Sequence, residues 1–568
     1  MGDHWKRSVR SALVGLALSA VWAGCAGVPT SGPVVYHTPP PARVPSDILV
    51  APLPPADDAE PSLIVDGFLH AMSVYQPDYE IARQYLTMAA SAEWRPEAGV
   101  QIYADGSPPT VVEDDVVLSA PLVGTLNERG EYTSAPGQRV RQDFDIVRDN
   151  SGQWRISNPP QGLLISRYLF SSGYAGVDLH HLNASGTMLI PEPIWVPAGS
   201  EQYRRVLRAQ LSGPSEWIAP LAMDVPTLQL DDAVVAAGTM GVRVSGAAGL
   251  SPEQRRAALL GLVATATQLG GVSQVEVTSG GAAWTLPEHA GTRFSARDVA
   301  AVEPAPADPA GGLVVAKDGS VQTASVQDPS TKLAAVAPDV HDPDTVAAHT
   351  KQGVVAAVVD QGKSLVTSPT SGGVTQLRAG AHLLRPQFSG TGELWSAEAS
   401  GIASLQAVKG LDSLKTSVPN PPSGKLIAFG LSPDGSRLAA AVEGKTGVEV
   451  GLMLIQREEQ SVTVGGWRPL VLSSVDATSV LDLGWSAATE LLLLVADARG
   501  ATSVVRTSQD GAVSADIGPS VAAGFVELAT APQHQALLRS SGGMVYRFDA
   551  DFSWTLWLTG VTAVAFAR

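Results

Sequence analysis

GLSPDGSRLAAAV, Gly430–Val442, decides how the C-terminal half of this chain is read. A glycine-leucine pair, a serine, a Pro-Asp-Gly turn and a run of small apolar residues spell strand, tight turn, strand. One such stretch says little, but the order of residue types recurs. It stands in AHTKQGVVAAVV at Thr350, QFSGTGELWSAE at Ser389, GWSAATELLLLVA at Ser486 and ATAPQHQALLRSS at Ala531. Its opening half returns in VTAVAFAR at Ala567, and successive marks lie about 39, 43, 54, 45 and 36 residues apart. A period near ~45 residues with several short strands per unit is the signature of a β-propeller. One four-stranded blade cannot cover both of its faces, whereas a ring of blades does. The ~257 residues from Gly312 to Arg568 hold about six blades, with five or seven as the neighbouring solutions, and VTAVAFAR is expected to close the ring on the first blade. A pair of β-sandwiches is the competing architecture.

Working back toward the N-terminus, PEHAGTRFSARDVAAVEPAPADPAGG sets Pro304, Pro306 and Pro309 among alanines and acids, which marks a linker over 288–311. Before it, 169–287 alternates strand and helix. In GVRVSGAAGLSPEQRRAALLGLVATATQLGGVSQVEVTSGG, Ser251 takes the N-cap, Pro252 the first helical position and Gln254 the third, a capping box. The helix is expected to run to Leu269, where Gly270-Gly271 ends it. Val242 and Val244 precede it as a strand, and Val275 and Val277 follow as another, so an α/β layer is predicted. SEQYRRVLRAQLSGPS reads as a helix capped by Ser200 and ended by Gly213-Pro214. GVDLHHLNASGTMLIPEPIWVP reads as two short strands about the turn NASG.

The segment 62–168 places helices first and strands after. LIVDGFLHAMSVYQ puts Ile64, Phe68, Ala71, Met72 and Tyr75 on one helical face. DYEIARQYLT predicts a second helix capped by Asp78. VQIYA, DVVLSAPLVGTLN, RVRQDFDIV and QWRIS then read as strands, with DNSG as a hairpin turn. Helices followed by a curved antiparallel sheet resemble the NTF2-like α+β cone. The chain is thus expected to be multidomain, α+β and all-β: an NTF2-like cone, a second α/β unit and a C-terminal β-propeller.

No phosphate loop, nucleophile elbow or zinc-protease helix occurs, so no enzyme activity and no cofactor is predicted. His180 and His181 are adjacent, and on a strand their rings point to opposite faces, against a shared metal. Asp339, Asp342 and Asp344 in PDVHDPD offer a calcium-type cluster but fit a solvated loop better. Asp143 and Asp145 alternate as the wet side of a sheet does. Trp154, Trp195, Trp217, Trp395, Trp467 and Trp485 are expected as core anchors rather than a sugar platform. The formal charge of −17 argues against nucleic acid, which is gripped by lysine and arginine.

The chain opens MGDHWKRSVR, a basic start, followed by the apolar SALVGLALSAVWAG, too short to span ~30 Å of hydrocarbon. This fits a signal peptide over 1–24. The single cysteine of 568 residues, Cys25, follows Ala23-Gly24. VWAGC resembles a bacterial lipobox, with Trp22 where a branched aliphatic residue is usual. The resemblance implies that Cys25 carries diacyl and N-acyl chains, enough for stable membrane anchoring. Ten prolines between Pro29 and Pro61 predict a semi-rigid tether over 25–61.

The unit 169–287 resembles the GerM-type domain of sporulation and germination proteins, through LSGPS, SPEQRRAALL and VSQVEVTSGG. The order of lipobox, Pro-rich tether, NTF2-like unit, GerM-type unit and propeller, with CAGVPTSGPV after the leader, resembles the LpqB lipoproteins of actinobacteria. That resemblance implies a lipid-anchored protein on the extracytoplasmic face of the cell membrane. It also implies a partner, the extracellular domain of an MtrB-like two-component sensor kinase, with effects on cell-wall homeostasis, division or development. The alternative is a cell-wall polymer-binding or hydrolytic envelope protein using the propeller. Hydrolysis would require two carboxylates facing each other across a cleft at ~5–9.5 Å, on separate blades.

Overall fold

A computed structural model of the chain describes residues 51–112, 115–287, 289–304, 312–326, 333–445, 447–472, 479–519 and 524–568. The leader, Cys25, most of the tether and part of the linker lie outside these residues.

The first module begins with helix Pro61–Ser73, whose apolar spacing buries Ile64, Phe68, Ala71 and Met72 as expected. Phe68 packs against Trp94 and Phe144, with ring centroids 5.4 and 6.5 Å away. Gly67 lets Tyr85 lie flat on this helix: a Cβ there would sit 2.4 Å from the tyrosine oxygen. The long strand Asp115–Leu126 pairs antiparallel with Thr110–Val112, Val100–Tyr103, Tyr132–Ser134 and Arg139–Asp143. Leu163–Ser166 joins Val100–Tyr103 in parallel. Helices over a curved sheet match the α+β expectation. The helix predicted from Asp78 shrinks to one 3-10 turn and the single turn Glu80–Arg83. Asp78 and Tyr79 both take left-handed backbone angles (φ 54 and 51°), which breaks the helix before it starts. RVRQDFDIV is two strands, not one, because Asp145 (φ 45°) kinks the chain between Asp143 and Ile146. The short helix Met88–Glu93, capped by Thr87, was not foreseen.

The second module wraps helix Pro252–Ala266 between a sheet and a hairpin. The capping box is present: Ser251 accepts from the Gln254 amide, and Gln254 Oε1 accepts from the Ser251 amide. The helix stops at Ala266, one turn before Leu269. Strands Thr239–Ser245 and Gln274–Ser279 pair in parallel across it, the predicted strand-helix-strand unit. The hairpin strands, Tyr174–Leu182 and Leu189–Pro197, run nine residues each, longer than expected. Gly261 lets the helix touch the hairpin, since a Cβ would meet the His180 carbonyl at 2.4 Å. Helix Gln202–Leu211 starts after Glu201, so Ser200 is not its cap.

The third module is a six-bladed propeller. Four blades are separate four-stranded sheets, and the other two are joined into one eight-stranded sheet. The join is a parallel pairing of the outer strands Asp412–Ser417 and Ser461–Leu470, through Lys415, Thr416 and Ser417. Strand Val561–Phe566 pairs antiparallel with Gly312–Lys317 and closes the ring as predicted. The recurrent hydroxyl has a clear role. Ser389, Ser432 and Ser486 are fully buried at the ends of inner strands. Ser389 Oγ accepts from the Glu393 amide, and Ser432 Oγ accepts from the Arg437 amide. Ser486 Oγ donates to Glu490. Each satisfies a buried turn that would otherwise strand polar groups.

Candidate functional site

Two places gather polar chemistry: the propeller channel and the junction of the modules. At one mouth of the channel, inward acids do sit on separate blades. Asp482 lies on the inner strand Ser479–Trp485, and Glu527 on the neighbouring Phe525–Ala531. Arg385, from the approach to the third blade, reaches across to both. Its Nη2 donates to Asp482 at 3.0 Å and its Nη1 to the Leu528 carbonyl at 2.9 Å, with Glu527 at 3.7 Å. Arg539 holds the other Glu527 oxygen at 2.6 Å. Asp482 also accepts from the Leu483 and Leu528 amides. Burial raises both acids above the usual carboxylate range, and Arg385 opposes that rise. The carboxylates face a guanidinium, not each other across open water, and the space left is about 170 Å³. Deeper in, beside Trp485 and Thr530, about 70 Å³ remains. Toward the opposite mouth, Thr350 donates to the Arg568 carbonyl at 2.7 and 2.9 Å. The channel is a tied core with a plug rather than an acid-base cleft.

The junction lies on the propeller face where the inner strands end. Arg437, inside the run SRLAAAV, is fully buried. It donates to Asp434 at 3.0 Å, to Gln509 at 2.5 Å and to the Ala488 carbonyl at 3.2 Å. It then leaves the propeller to bond the Pro191 carbonyl of the second module at 3.0 Å, and it stacks over Trp485 at 5.2 Å. Beside it, Thr489 bonds both Asp178 oxygens at 3.0 Å, and Trp195 Nε1 donates to Asp510 at 2.8 Å. Arg468, stacked over Trp217 at 5.3 Å, donates to the Tyr132 carbonyl of the first module at 3.0 Å. Arg129 ties the first module to the second through Ser212 and Gly213, each at 2.6 Å. These bonds weld three modules into one body.

The two histidines part as the strand period requires. His180 faces Thr265 and Gln268, and burial with neighbouring His181 draws it down to about 4. His181 Nε2 lies 3.2 Å from Glu192, which also accepts from the Ser215 amide. Burial would raise Glu192, but His181 and Ser215 together hold it below its ordinary value. Asp339 and Asp344 each accept a backbone amide from a distant loop, from Gly373 and Gly362. The acids that do meet are Asp143, Asp145 and the unforeseen Asp115, with oxygens within 4.8 Å of one another. Asp115 is already occupied by the Val116 and Ile146 amides. Trp395 and Trp485 are blade anchors, as expected. Trp195 and Trp217 instead bridge modules, as does Arg437; the sequence signal for the last was a lone arginine among small apolar residues.

Asp178 gives this junction a pH dependence. Burial raises it from 3.8 to about 6, opposed by Thr489 and Arg437. A carboxyl whose folded pKa is raised favours the folded state at low pH, and that contribution is lost as pH rises through about 6. Asp178→Asn is therefore expected to raise the urea midpoint at pH 7.5 and to give no advantage at pH 4. Equal effects at both pH values would refute a titrating Asp178.

A curved α+β unit, an α/β unit and a closed six-bladed ring, welded by buried polar bonds, define a multidomain, mostly β propeller protein without a formed catalytic pair among the described residues. Three family models match in chain order. They are the lipoprotein LpqB N-terminal domain over 54–171, the sporulation and spore germination domain over 178–284, and the lipoprotein LpqB beta-propeller domain over 319–564. Lipoprotein LpqB of Cutibacterium acnes is 30% identical over 97% of this chain and 98% of that one. The lipoproteins LpqB of Streptomyces avermitilis and Streptomyces coelicolor are 25% and 26% identical, over 97% and 94% of each chain. The chain belongs to the LpqB lipoprotein family.

Proposed function

We propose that this chain is a membrane-anchored lipoprotein, held through lipid on Cys25 at the extracytoplasmic face. There it contacts and tunes the extracellular domain of an MtrB-like sensor kinase. The observation that carries this reading is the weld itself: three modules tied by buried polar bonds present a large, preformed surface, and preorganisation lowers the cost of binding a partner. Family membership supports the lipid anchor. No helix among the described residues is long and apolar enough to cross a membrane. The hydrolytic alternative needs a free carboxylate pair in the propeller, and Asp482 and Glu527 are held by Arg385 and Arg539.

The test is a titration of the lipid-free chain, residues 26–568, against the kinase extracellular domain from the same cell. Saturable binding at micromolar concentration is expected. In cells, Cys25→Ser is expected to leave folded protein that takes up no lipid label and no longer fractionates with membrane. Absence of binding would remove the kinase, and a labelled Cys25→Ser variant would remove the anchor.

A further inference from the structure

Between the first module and helix Gln202–Leu211 of the second lies a groove of about 430 Å³. Arg205 stands in it. Its guanidinium stacks over the Tyr75 ring at 4.8 Å, across the module boundary. Tyr75 meets Tyr79 edge-on at 5.7 Å, and Tyr174 lines the same groove. Burial pushes the Tyr79 hydroxyl up to about 12 and raises Tyr174 further, while the Arg205 charge pulls on both. The guanidinium thus rests on Tyr75 in a groove that Tyr79 and Tyr174 also line. Arg208, one turn along the same helix, lines the groove as well. Among the described residues, neither arginine has a carboxylate within ion-pair distance. Arg129 nearby is taken by Glu131. Of the acids on the rim, Asp78 is paired with Arg83 at 3.1 Å, while Glu97 and Glu128 are exposed.

A half-buried cation without a carboxylate partner is costly, and a bound anion relieves the cost. The tyrosines of the lining add flat apolar surface on which a ring stacks. We propose that this groove binds an oxyanion, the phosphate or carboxylate of a ligand that carries a planar ring, with Arg205 as the principal contact and Arg208 as the second. The inference stands apart from the kinase reading, because it concerns a small anionic group rather than a protein partner.

The test uses the lipid-free chain, residues 26–568, with phenyl phosphate and benzoate as probes and benzyl alcohol as the uncharged control, followed by calorimetry and ligand-observed NMR. Saturable binding of at least one anion is expected, with benzyl alcohol at least ~10-fold weaker. A preference for phenyl phosphate identifies a phosphate source, and a preference for benzoate a carboxylate source. Arg205→Gln should weaken the preferred anion by ~10-fold or more, and Arg205→Lys should recover part of that loss. Arg208→Gln should cost a smaller factor. The proposal is overturned if neither anion saturates by about 10 mM, if benzyl alcohol binds as well, or if Arg205→Gln, still folded by circular dichroism, binds unchanged.

Discussion

Arg437→Ala is expected to cost about 3–5 kcal/mol of stability. The argument rests on what the arginine leaves behind. Asp434 is buried beside it, with a side chain 1% exposed. Burial would raise Asp434, and Arg437 with Ser432 and Ser436 holds it down as a carboxylate. Without the guanidinium that carboxylate loses its ion-pair partner, the Pro191 and Ala488 carbonyls lose a donor, and Trp485 loses its cover. Breaking one side of a buried pair costs far more than replacing both sides. Asp434→Asn with Arg437→Met should therefore recover most of the loss. Urea unfolding followed by tryptophan fluorescence reads both variants. A loss below about 1 kcal/mol for Arg437→Ala would show that the pair carries little, and a double variant as weak as the single would show that packing, not charge, carries it. Loss of the Pro191 bond should also loosen the second module, seen as faster amide exchange in Leu189–Pro197.

The second large effect lies at the ring closure. Val564 is fully buried on the closing strand and pairs with Val315. Val564→Asp places an unpaired charge between two blades and is expected to cost about 4 kcal/mol. Deleting residues 561–568 removes the strand outright. Gly312–Lys317 then loses its inner partner, and amide protection there should fall by about 100-fold or more, while the blade of residues 425–470 changes far less. Hydrogen exchange by mass spectrometry measures both. Unchanged protection in Gly312–Lys317 after the deletion would mean that the ring holds without closure.

Which features were legible depended on whether the signal was local. The propeller announced itself because the blades repeat a strand and a turn, with a buried serine between them at Ser389, Ser432 and Ser486. Ser389 and Ser432 recur because each accepts a backbone amide of its turn, and Ser486 because it bonds the Glu490 carboxylate beyond its turn. The capping box at Ser251 is likewise contained in four residues. The helix expected from Asp78 failed because two consecutive left-handed residues, Asp78 and Tyr79, answer to packing against Trp94, 6.0 Å from Tyr79, and not to propensity. The acid triad needed Asp115, about thirty residues upstream of Asp145, and only the fold brings them together. The junction was invisible for the same reason. Pro191, Asp178 and Trp195 belong to one module, and Arg437, Thr489 and Asp510 to another. Nothing in either segment marks it as an interface except, in hindsight, charge set among small apolar residues.

The ring closure also sets an order of events during synthesis. Gly312–Lys317 is made long before Val561–Phe566, and its inner edge stays open while every other blade is being produced. A chain halted early keeps that edge, a pairing surface open to proteases and to other unfinished chains. Closure by the last strand is thus a form of proofreading: only a polypeptide carried through to Phe566 hides the mark that exposes an unfinished one.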